Sequence, residues 1–297
     1  MQDIVRVAAA AVDTKPGEVD SNLDKIATWA ERASVEGVNL VLFQELSLTG
    51  FIPNHPVGNH DHWLRTALRA GADMAVRLDA PEIGKLSEIA GKNNLLLSAG
   101  ILEDAGNCLH NTHVLVDRNG LLGYWRKMHI PMFEMPFYNG GDAPKVVDTP
   151  LGRIGANICF DALLPESTRL LAIQNVEIVL FPFAADPPPV SPLGWAEWAG
   201  LPLRSRCIEN AVYGVACNYV GHVECAGATQ DFPGGGMVVD PRGSIVSDWK
   251  SPSGKPGMII ADLSAQSLRE SRSEPEYLFR FRRPELYAPL ADNQRMA

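Results

Sequence analysis

Three residues with chemically reactive side chains, Glu45, Lys127 and Cys159, each end a largely apolar run that is typical of a buried strand. The runs, each written with its reactive residue last, are NLVLFQE, LLGYWRK and GRIGANIC. Strand ends are favoured positions for catalytic groups in α/β proteins, so we expect the three side chains to lie close together. A carboxylate can transfer protons, a lysine can hold a developing oxyanion, and a cysteine can attack a carbonyl carbon. The set predicts acyl transfer through a sulfur nucleophile.

Each of these residues also has an ordinary interpretation when it is considered alone. Glu45 can be a surface acid that begins a loop, and Lys127 a solvated charge at a strand end. Cys159 differs from an inert thiol because a turn and a predicted helix follow it; a helix N-terminus and a lysine would both lower its pKa and favour the thiolate. Small buried hydrophobes are the interpretation that we favour for Cys108, Cys207, Cys217 and Cys225.

The elements that must position these residues alternate between strand-like and helix-like patterns. Helices are predicted over 21–37, where apolar residues follow the 3.6-residue period, and over 80–94, where Pro81 suits a first helical position. Hairpins are predicted at the turn segments 118–120 and 150–152, since β-type runs flank turn-forming residues there. The predicted strands of this half cover 4–12, 39–46 and 94–102, together with the hairpin arms.

The second half continues this alternation around one irregular segment. The segment 185–194, ADPPPVSPLG, is too rich in proline for regular structure and is expected to form part of a pocket wall. No linker divides the chain, so we predict a single domain over 1–297 with an α/β architecture of sheets covered by helices. The predicted elements are helices over 165–175, 195–211 and 264–271, strands over 177–184, 212–220 and 257–263, and a hairpin over 234–249.

Composition excludes several classes of protein. The chain has 297 residues, 46% of them hydrophobic, and none of its apolar runs approaches the length of about 18 residues that a membrane helix needs. A formal charge of -9 gives no general electrostatic reason to bind nucleic acid. Five cysteines without a CxxC pair favour reduced thiols, and the N-terminal segment does not resemble a signal peptide. We therefore expect a cytoplasmic protein with a small-molecule partner and no membrane association.

Other motifs in the chain do not indicate a metal or phosphate site. His55, His60, His62 and Asp61 lack a metal-ligand spacing, so we interpret them as part of a loop near the pocket. The three glycines at 234–236 enter a strand rather than a helix and are not followed by a GxxxxGK[ST] pattern. No GxSxG elbow is present, which argues against a serine hydrolase. No metal and no cofactor are expected.

Longer motifs resemble those of the nitrilase superfamily of carbon–nitrogen hydrolases, whose Glu, Lys and Cys occur in this order. The matching segments are FQELSLTGF (43–51), YWRKMHIP (124–131), GANICFDALLPES (155–167), RCIENAVYGVACNYVG (206–221), GGGMVVDPRGSIV (234–246) and RRPELY (282–287). The resemblance implies an αββα sandwich that pairs into a homodimer, with the C-terminal tail (273–297) packing on a partner subunit. It also implies that Glu134, seven residues beyond Lys127, orients that lysine, and that the family needs no metal.

The resemblance further implies hydrolysis of a small amide through a thioester on Cys159. Hydrolysis of an N-carbamoyl compound is an alternative, although Asp161-Ala162-Leu163 lacks the arginine that many carbamoylases have after the cysteine. Nitrile hydrolysis is a weaker alternative, and a non-catalytic binding or scaffold subunit is an alternative of another class. Aromatic residues in nearby segments predict an apolar pocket; they are Phe51, Phe160, Phe183 and Trp195, with Trp63 and Trp198 as further candidates.

Overall fold

The computed structural model describes residues 1–56, 58–188, 190, 194–250 and 254–291, with the side chains of Ala196 and Trp198 left undescribed. Within these residues the chain forms two six-stranded sheets and a separate two-stranded hairpin. The strands are β1 (Ile4–Ala11), β2 (Leu40–Phe43), β3 (Leu96–Asp104), β4 (Leu109–Asp117), β5 (Gly120–Arg126), β6 (Val147–Thr149), β7 (Gly152–Ala156), β8 (Ile178–Phe183), β9 (Tyr213–Asn218), β10 (Val220–Cys225), β11 (Ala228–Pro233), β12 (Gly236–Val239), β13 (Ile245–Trp249) and β14 (Gly257–Ser264).

Helices connect and cover these strands. The α-helices are α1 (Val19–Val35), α2 (His60–Met74), α3 (Pro81–Asn93), α4 (Pro165–Ala172), α5 (Trp195–Trp198), α6 (Gly200–Asn210) and α7 (Ala265–Ser273). Short 3-10 helices cover Cys159–Leu163, Leu278–Phe281, Pro284–Leu286 and Ala288–Ala291. In the described part of the chain, no helix is both long enough and apolar enough to cross a bilayer.

The two sheets have the same internal plan. Sheet 1 has the order β14-β1-β2-β3-β4-β5, and sheet 2 has the order β13-β12-β9-β8-β7-β6. The three central strands β1, β2 and β3 are parallel, as are β7, β8 and β9, and the outer strands are antiparallel to their neighbours. The carboxyl ends of parallel strands meet at one edge of a sheet, which is where α/β proteins place their sites.

Burial shows four layers. One apolar cluster fills the space between the sheets and includes Leu42 of sheet 1 and Leu180 of sheet 2. A second cluster joins the outer face of sheet 1 to α1 and α3 through residues such as Ile26, and a third joins sheet 2 to α4 and α6 through residues such as Leu171. These side chains are fully buried. The architecture is therefore the αββα sandwich that the resemblance implied.

Two elements were not predicted from the sequence. Helix α2 begins at His60, where a loop was expected, because Asn59 caps it by accepting a hydrogen bond from the His62 N–H at 3.0 Å. The hairpin of β10 and β11 turns at Ala226 and Gly227, which both have positive φ (55° and 75°), as a two-residue turn requires.

The single helix predicted over 195–211 is wrong, because the structure divides it into α5 and α6. Pro202 lies in the first turn of α6 and has no N–H to donate to the carbonyl of residue 198. The division leaves Trp195 packed against Phe183, with ring centroids 6.1 Å apart.

Candidate active site

Glu45, Lys127 and Cys159 lie at one edge of the two sheets, just beyond the carboxyl ends of β2, β5 and β7. Lys127 Nζ lies 2.8 Å from Glu45 Oε1 and 2.7 Å from Glu134 Oε2. Glu45 and Lys127 are both 0% exposed, and Glu134 and Cys159 are also buried. Cys159 is close enough that Glu45, Lys127 and Glu134 all shift its pKa. The structure thus brings together the four residues that were predicted from the sequence.

The backbone turn after β2 fixes the position of Glu45. Ser47 Oγ accepts a hydrogen bond from the Gly100 N–H at 2.9 Å, which ties the turn to β3. The Glu45 side chain is held by Asn111 Nδ2, which donates to Oε1 at 2.6 Å from the start of β4. Asn111 was not singled out from the sequence, because it is one of four consecutive polar residues, 110–113, in the first half of β4. Glu45 Oε2 is buried and has no hydrogen-bond partner among the described residues.

We expect Gly100→Ala to displace Glu45 and to destabilise the fold. A Cβ at position 100 would lie 2.1 Å from the Leu46 nitrogen and 2.9 Å from the Glu45 carbonyl carbon. Backbone cannot yield as a flexible side chain does, so the free energy of unfolding should fall by about 3 kcal/mol. Gly84→Ala is the matched control, because its Cβ meets nothing within 4 Å and it lies within α3. Urea unfolding should show Gly84→Ala slightly stabilised; equal stability of the two variants would contradict this account.

Lys127 stays charged because two carboxylates surround it. Burial disfavours its ammonium form, but attraction by Glu134 and Glu45 outweighs burial and raises the pKa of Lys127 well above its usual value. An ammonium group has three N–H donors. Glu45 and Glu134 accept two of them. No other side chain or carbonyl among the described residues accepts the third, which leaves it for an oxygen in the site.

Cys159 occupies a strained position in the turn that follows β7. Its φ of 48° is in the left-handed region, which is unfavourable for residues other than glycine and is typical of functional sites. Burial raises the pKa of the Cys159 thiol well above its usual value, Glu45 and Glu134 raise it further, and Lys127 only partly opposes them. The prediction that Lys127 and the following helix lower this pKa is therefore wrong. The raised pKa favours the thiol, so attack by the sulfur requires a base.

Asp161 joins the lysine segment to the cysteine turn. Its buried carboxylate accepts hydrogen bonds from the backbone N–H groups of Met128 at 3.2 Å, His129 at 2.9 Å and Ile158 at 3.3 Å. Its Oδ1 also lies 2.8 Å from His129 Nδ1, and this hydrogen bond raises the pKa of His129. Asp161 fixes the backbone on both sides of the site. The residues around Asp161 in the sequence give no sign of this role.

Glu134 lies in the turn that follows Pro131, where its N–H donates to the Pro131 carbonyl at 2.8 Å. Burial raises the pKa of Glu134 from 4.5 to about 7, with Lys127 opposing and Glu45 adding to the shift. Its carboxylate therefore titrates within the range in which enzymes usually work.

We expect Glu134→Gln to remove a titration near pH 7 from the activity profile. In the wild-type protein, kcat/KM for a neutral amide should rise as the pH increases through about 7, where the Glu134 carboxyl ionises and holds Lys127. In the variant this rise should be absent, and kcat/KM at pH 8 should be about 100-fold lower. Glu88→Gln, which changes an exposed acid of α3, is the matched control. An unchanged profile in Glu134→Gln would contradict the assignment.

The same titration should affect stability. The folded protein binds the Glu134 proton more tightly than the unfolded chain does, because its pKa is about 7 rather than 4.5. The contribution to the free energy of unfolding is therefore present below 4.5 and is lost as the pH rises through 7. Between these limits the loss is at most about 3 kcal/mol. Urea unfolding at pH 5 and pH 8 should show this decrease in the wild-type protein and a smaller one in Glu134→Gln; parallel decreases would contradict it.

A cavity of about 170 Å³ opens beside Cys159. Its volume is close to that of a cavity that holds a benzene-sized molecule. The described residues that line it are Asn54, Pro131, Phe133, Glu134, Cys159, Phe160, Ala184, Ala185, Asp186 and Val190. Asn218 holds its wall, because Asn218 Oδ1 accepts a hydrogen bond from the Ala185 N–H at 2.8 Å. Ala185 and Asp186 begin the irregular segment that was predicted to form a pocket wall.

The aromatic residues predicted to contact substrate are distributed differently. Phe160 lines the cavity. Phe51 packs instead against Phe232, with ring centroids 5.0 Å apart, and Phe183 packs against Trp195. None of these three, Phe51, Phe183 or Trp195, is a described lining residue, because each ring completes an apolar cluster behind the wall. Trp63 packs on Phe137, and the Trp198 side chain lies outside the described residues. Phe133, which was not predicted, lines the cavity.

The histidines near the N-terminus of α2 do not converge. His55 Nε2 lies 3.4 Å from Asp186 Oδ2, whereas His60 and His62 lie in the first turn of α2. Among the described residues, no group of three or more His, Cys, Asp or Glu side chains could hold a metal ion.

Comparison with known proteins agrees with this geometry. The sequence pattern of the family described as carbon-nitrogen hydrolase matches residues 6–273. The chain therefore belongs to the carbon-nitrogen hydrolase family, a family of enzymes, and the resemblance to the nitrilase superfamily is confirmed.

Individual relatives cover most of the chain. A nitrilase from Pyrococcus abyssi (strain GE5 / Orsay) is 27% identical over 286 residues, which cover 96% of this chain and 99% of that protein. Deaminated glutathione amidase from Rattus norvegicus is 33% identical over 231 residues, 72% of this chain and 67% of that protein. A mutant of the amidase from Nesterenkonia sp. AN1, with the acetamide moiety of fluoroacetamide added covalently at its active site cysteine, has a TM-score of 0.74 at 23% identity and covers 95% of both chains. Nitrilases and amidases are thus both among the relatives.

Proposed function

We propose that this protein hydrolyses the carbon–nitrogen bond of a small amide through a thioester on Cys159. The observation that supports this most directly is the hydrogen bonding of the two carboxylate oxygens of Glu45. Its Oε1 accepts hydrogen bonds from Lys127 and Asn111, while its buried Oε2 has no partner in the described structure. A buried carboxylate oxygen without a partner is costly, and here it supplies a base for the Cys159 thiol, whose pKa is raised.

Acylation begins when Glu45 accepts the thiol proton and the sulfur attacks the amide carbonyl carbon. The third N–H of Lys127 and the backbone N–H of Phe160 hold the resulting oxyanion. When the tetrahedral intermediate collapses, the carbon–nitrogen bond breaks. Glu45 returns its proton to the nitrogen, which leaves as ammonia or an amine. The acyl group remains on Cys159 as a thioester.

Deacylation repeats the proton transfers with water as the nucleophile. Glu45 accepts a proton from water, the hydroxide oxygen attacks the thioester carbonyl, and the same donors hold the oxyanion. The carbon–sulfur bond then breaks, the carboxylic acid leaves, and the sulfur recovers the proton from Glu45. Glu134 acts as a positioning residue throughout, since it contacts Lys127 at 2.7 Å.

Amide hydrolysis is best tested against the alternatives on a single panel. Primary amides, N-carbamoyl compounds and nitriles with acyl groups of about four heavy atoms, chosen to fit the small cavity, should be compared by ammonia release. We expect primary amides to have the highest kcat/KM. Turnover confined to nitriles or to N-carbamoyl compounds would replace the proposed substrate class, and no release from any compound would favour a binding role.

We also propose that the chain forms a homodimer in which the tail (273–297) contacts the partner subunit. Exposed apolar side chains on the described part of the tail support this, with Phe281 64% and Leu290 76% exposed. Large apolar groups in clusters on a surface commonly mark an interface. Sedimentation at micromolar concentration should show a dimer or a larger oligomer; a monomer would contradict the proposal.

A further inference from the structure

One wall of the cavity beside Cys159 carries two polar side chains that do not take part in catalysis, Asn54 and Asp186. Asn54 is 7% exposed, and its Oδ1 has no hydrogen-bond partner in the described part of the chain. Asp186 is the first charged residue after β8 and lies close enough to Glu134 to raise its pKa. Neither residue has a part in the acyl transfer steps.

Gln230 of β11 holds this wall in place. Its Oε1 accepts a hydrogen bond from the Asn54 N–H at 3.0 Å, and its Nε2 donates to Asp186 Oδ1 at 2.5 Å. His55 Nε2 lies 3.4 Å from Asp186 Oδ2. The imidazole ring of His55 packs edge-on against the ring of Phe133. An amide N–H donates to a carboxylate without transferring a charge to it. Gln230 therefore orients the carboxylate of Asp186.

Acidic side chains outnumber basic ones in the described lining of the cavity. Its described lining includes the carboxyl groups of Glu134 and Asp186 and no Lys, Arg or His side chain. Lys127 is already bridged by Glu45 and Glu134. A substrate carboxylate would meet repulsion here, whereas a cationic donor would find an oriented partner.

We propose that Asp186 is a specificity-determining residue that selects substrates carrying an ammonium group near the scissile amide. The ammonium donates to the carboxylate of Asp186, which lines the cavity. This inference rests on the proposed amide hydrolysis and names its substrate class: small amino-substituted amides, in preference to neutral amides of the same shape and to amides with a carboxylate.

Isosteric substrates provide the test. β-Alaninamide, butyramide and malonamate place an ammonium, a methyl and a carboxylate at similar distances from the amide. N-(2-aminoethyl)urea and N-propylurea place the ammonium or methyl on the leaving amine instead. We expect kcat/KM for at least one ammonium substrate to exceed that of its neutral isostere by about 100-fold, the effect of a hydrogen bond to a charged group. A preference among the amides would place the acyl group of the substrate next to Asp186. A preference among the ureas would place the leaving amine there.

The variant Asp186→Asn should reduce this preference to within about threefold while keeping a side chain of the same shape. Asp231→Asn is the matched control: it removes an equal charge from β11, next to Gln230, at a side chain that is 76% exposed and paired with His222. The control should keep the wild-type preference. Equal kcat/KM for ammonium and neutral substrates in the wild-type protein, or a preference that survives Asp186→Asn, would overturn the inference while leaving amide hydrolysis intact.

Binding to Cys159→Ala separates this inference from the proposed chemistry. Calorimetry with the same compounds should show ammonium amides binding about 100-fold more tightly than their neutral isosteres, and Asp186→Asn in that background should abolish the difference. A missing preference would overturn the role of Asp186 even if no compound is hydrolysed. A clear preference without turnover by the wild-type protein would instead overturn the proposed function.

Discussion

Replacing Cys159 by alanine should abolish ammonia release from every amide that the wild-type protein cleaves, by about a millionfold or to the limit of detection. No other described side chain in the cavity offers a comparable nucleophile beside Glu45 and Lys127. The fold should persist, because alanine keeps the Cβ and the backbone conformation and leaves only the volume of one sulfur atom unfilled. Steady-state ammonia release and urea unfolding measure the two effects.

Cys217→Ala is the matched control for loss of a buried thiol. Cys217 lies on β9 in the cluster between the sheets and is 0% exposed. Its replacement should cost about 1 kcal/mol of stability and leave kcat/KM unchanged. Wild-type turnover in Cys159→Ala would refute the assignment, and equal losses in the two variants would indicate a general effect on folding.

Replacing Lys127 by methionine should have the second largest effect, because it removes both the oxyanion donor and the charge between two buried carboxylates. Breaking a buried ion pair by deleting one partner typically costs about 3 to 5 kcal/mol. Activity should fall by at least about 1000-fold, the scale of losing a principal oxyanion donor. The destabilisation should shrink as the pH falls, since the pKa of Glu134 rises further without the lysine and a neutral carboxyl is less costly to bury.

The double variant Lys127→Met and Glu134→Gln separates stability from catalysis. Lys127→Met leaves two buried carboxylates without a cation, and Glu134→Gln removes the charge of one of them. The double variant should therefore recover about half of the lost stability and none of the activity. Lys92→Met is the matched control, because Lys92 is an exposed lysine of α3, and it should change stability by less than about 1 kcal/mol. Recovery of activity in the double variant, or a stability loss in Lys127→Met no larger than in Lys92→Met, would contradict the role of Lys127.

Local patterns predicted an α/β architecture of sheets covered by helices and the placing of Glu45, Lys127 and Cys159 at strand ends, whereas the αββα arrangement was implied by the resemblance to the nitrilase superfamily. Strand periodicity places each reactive residue after a strand, and the parallel central strands bring their carboxyl ends to one edge. Motif resemblance then supplied Glu134, whose loop has no periodic pattern of its own.

Other features depend on contacts that a linear pattern does not contain. The pKa of Cys159 was expected to be low from its neighbours in sequence, but burial and the carboxylate of Glu45, 114 positions away, raise it. Asp161 and Asn111 act through hydrogen bonds across the site. Aromatic residues were expected to line the pocket by proximity in sequence, yet Phe51 and Phe183 lie in apolar clusters, where burial of their rings away from water is favourable.

The central claim, that Cys159 forms a thioester in turnover, is tested most directly by mass spectrometry of the protein quenched in acid during turnover of the best amide substrate. We predict a mass increase equal to the acyl group, located on the peptide that contains Cys159, removed by hydroxylamine and absent from Cys159→Ala. Formation and decay of this adduct should be fast enough to account for ammonia release. Rapid-quench samples that turn over substrate with no adduct on Cys159, or with the acyl group on another residue, would contradict the claim.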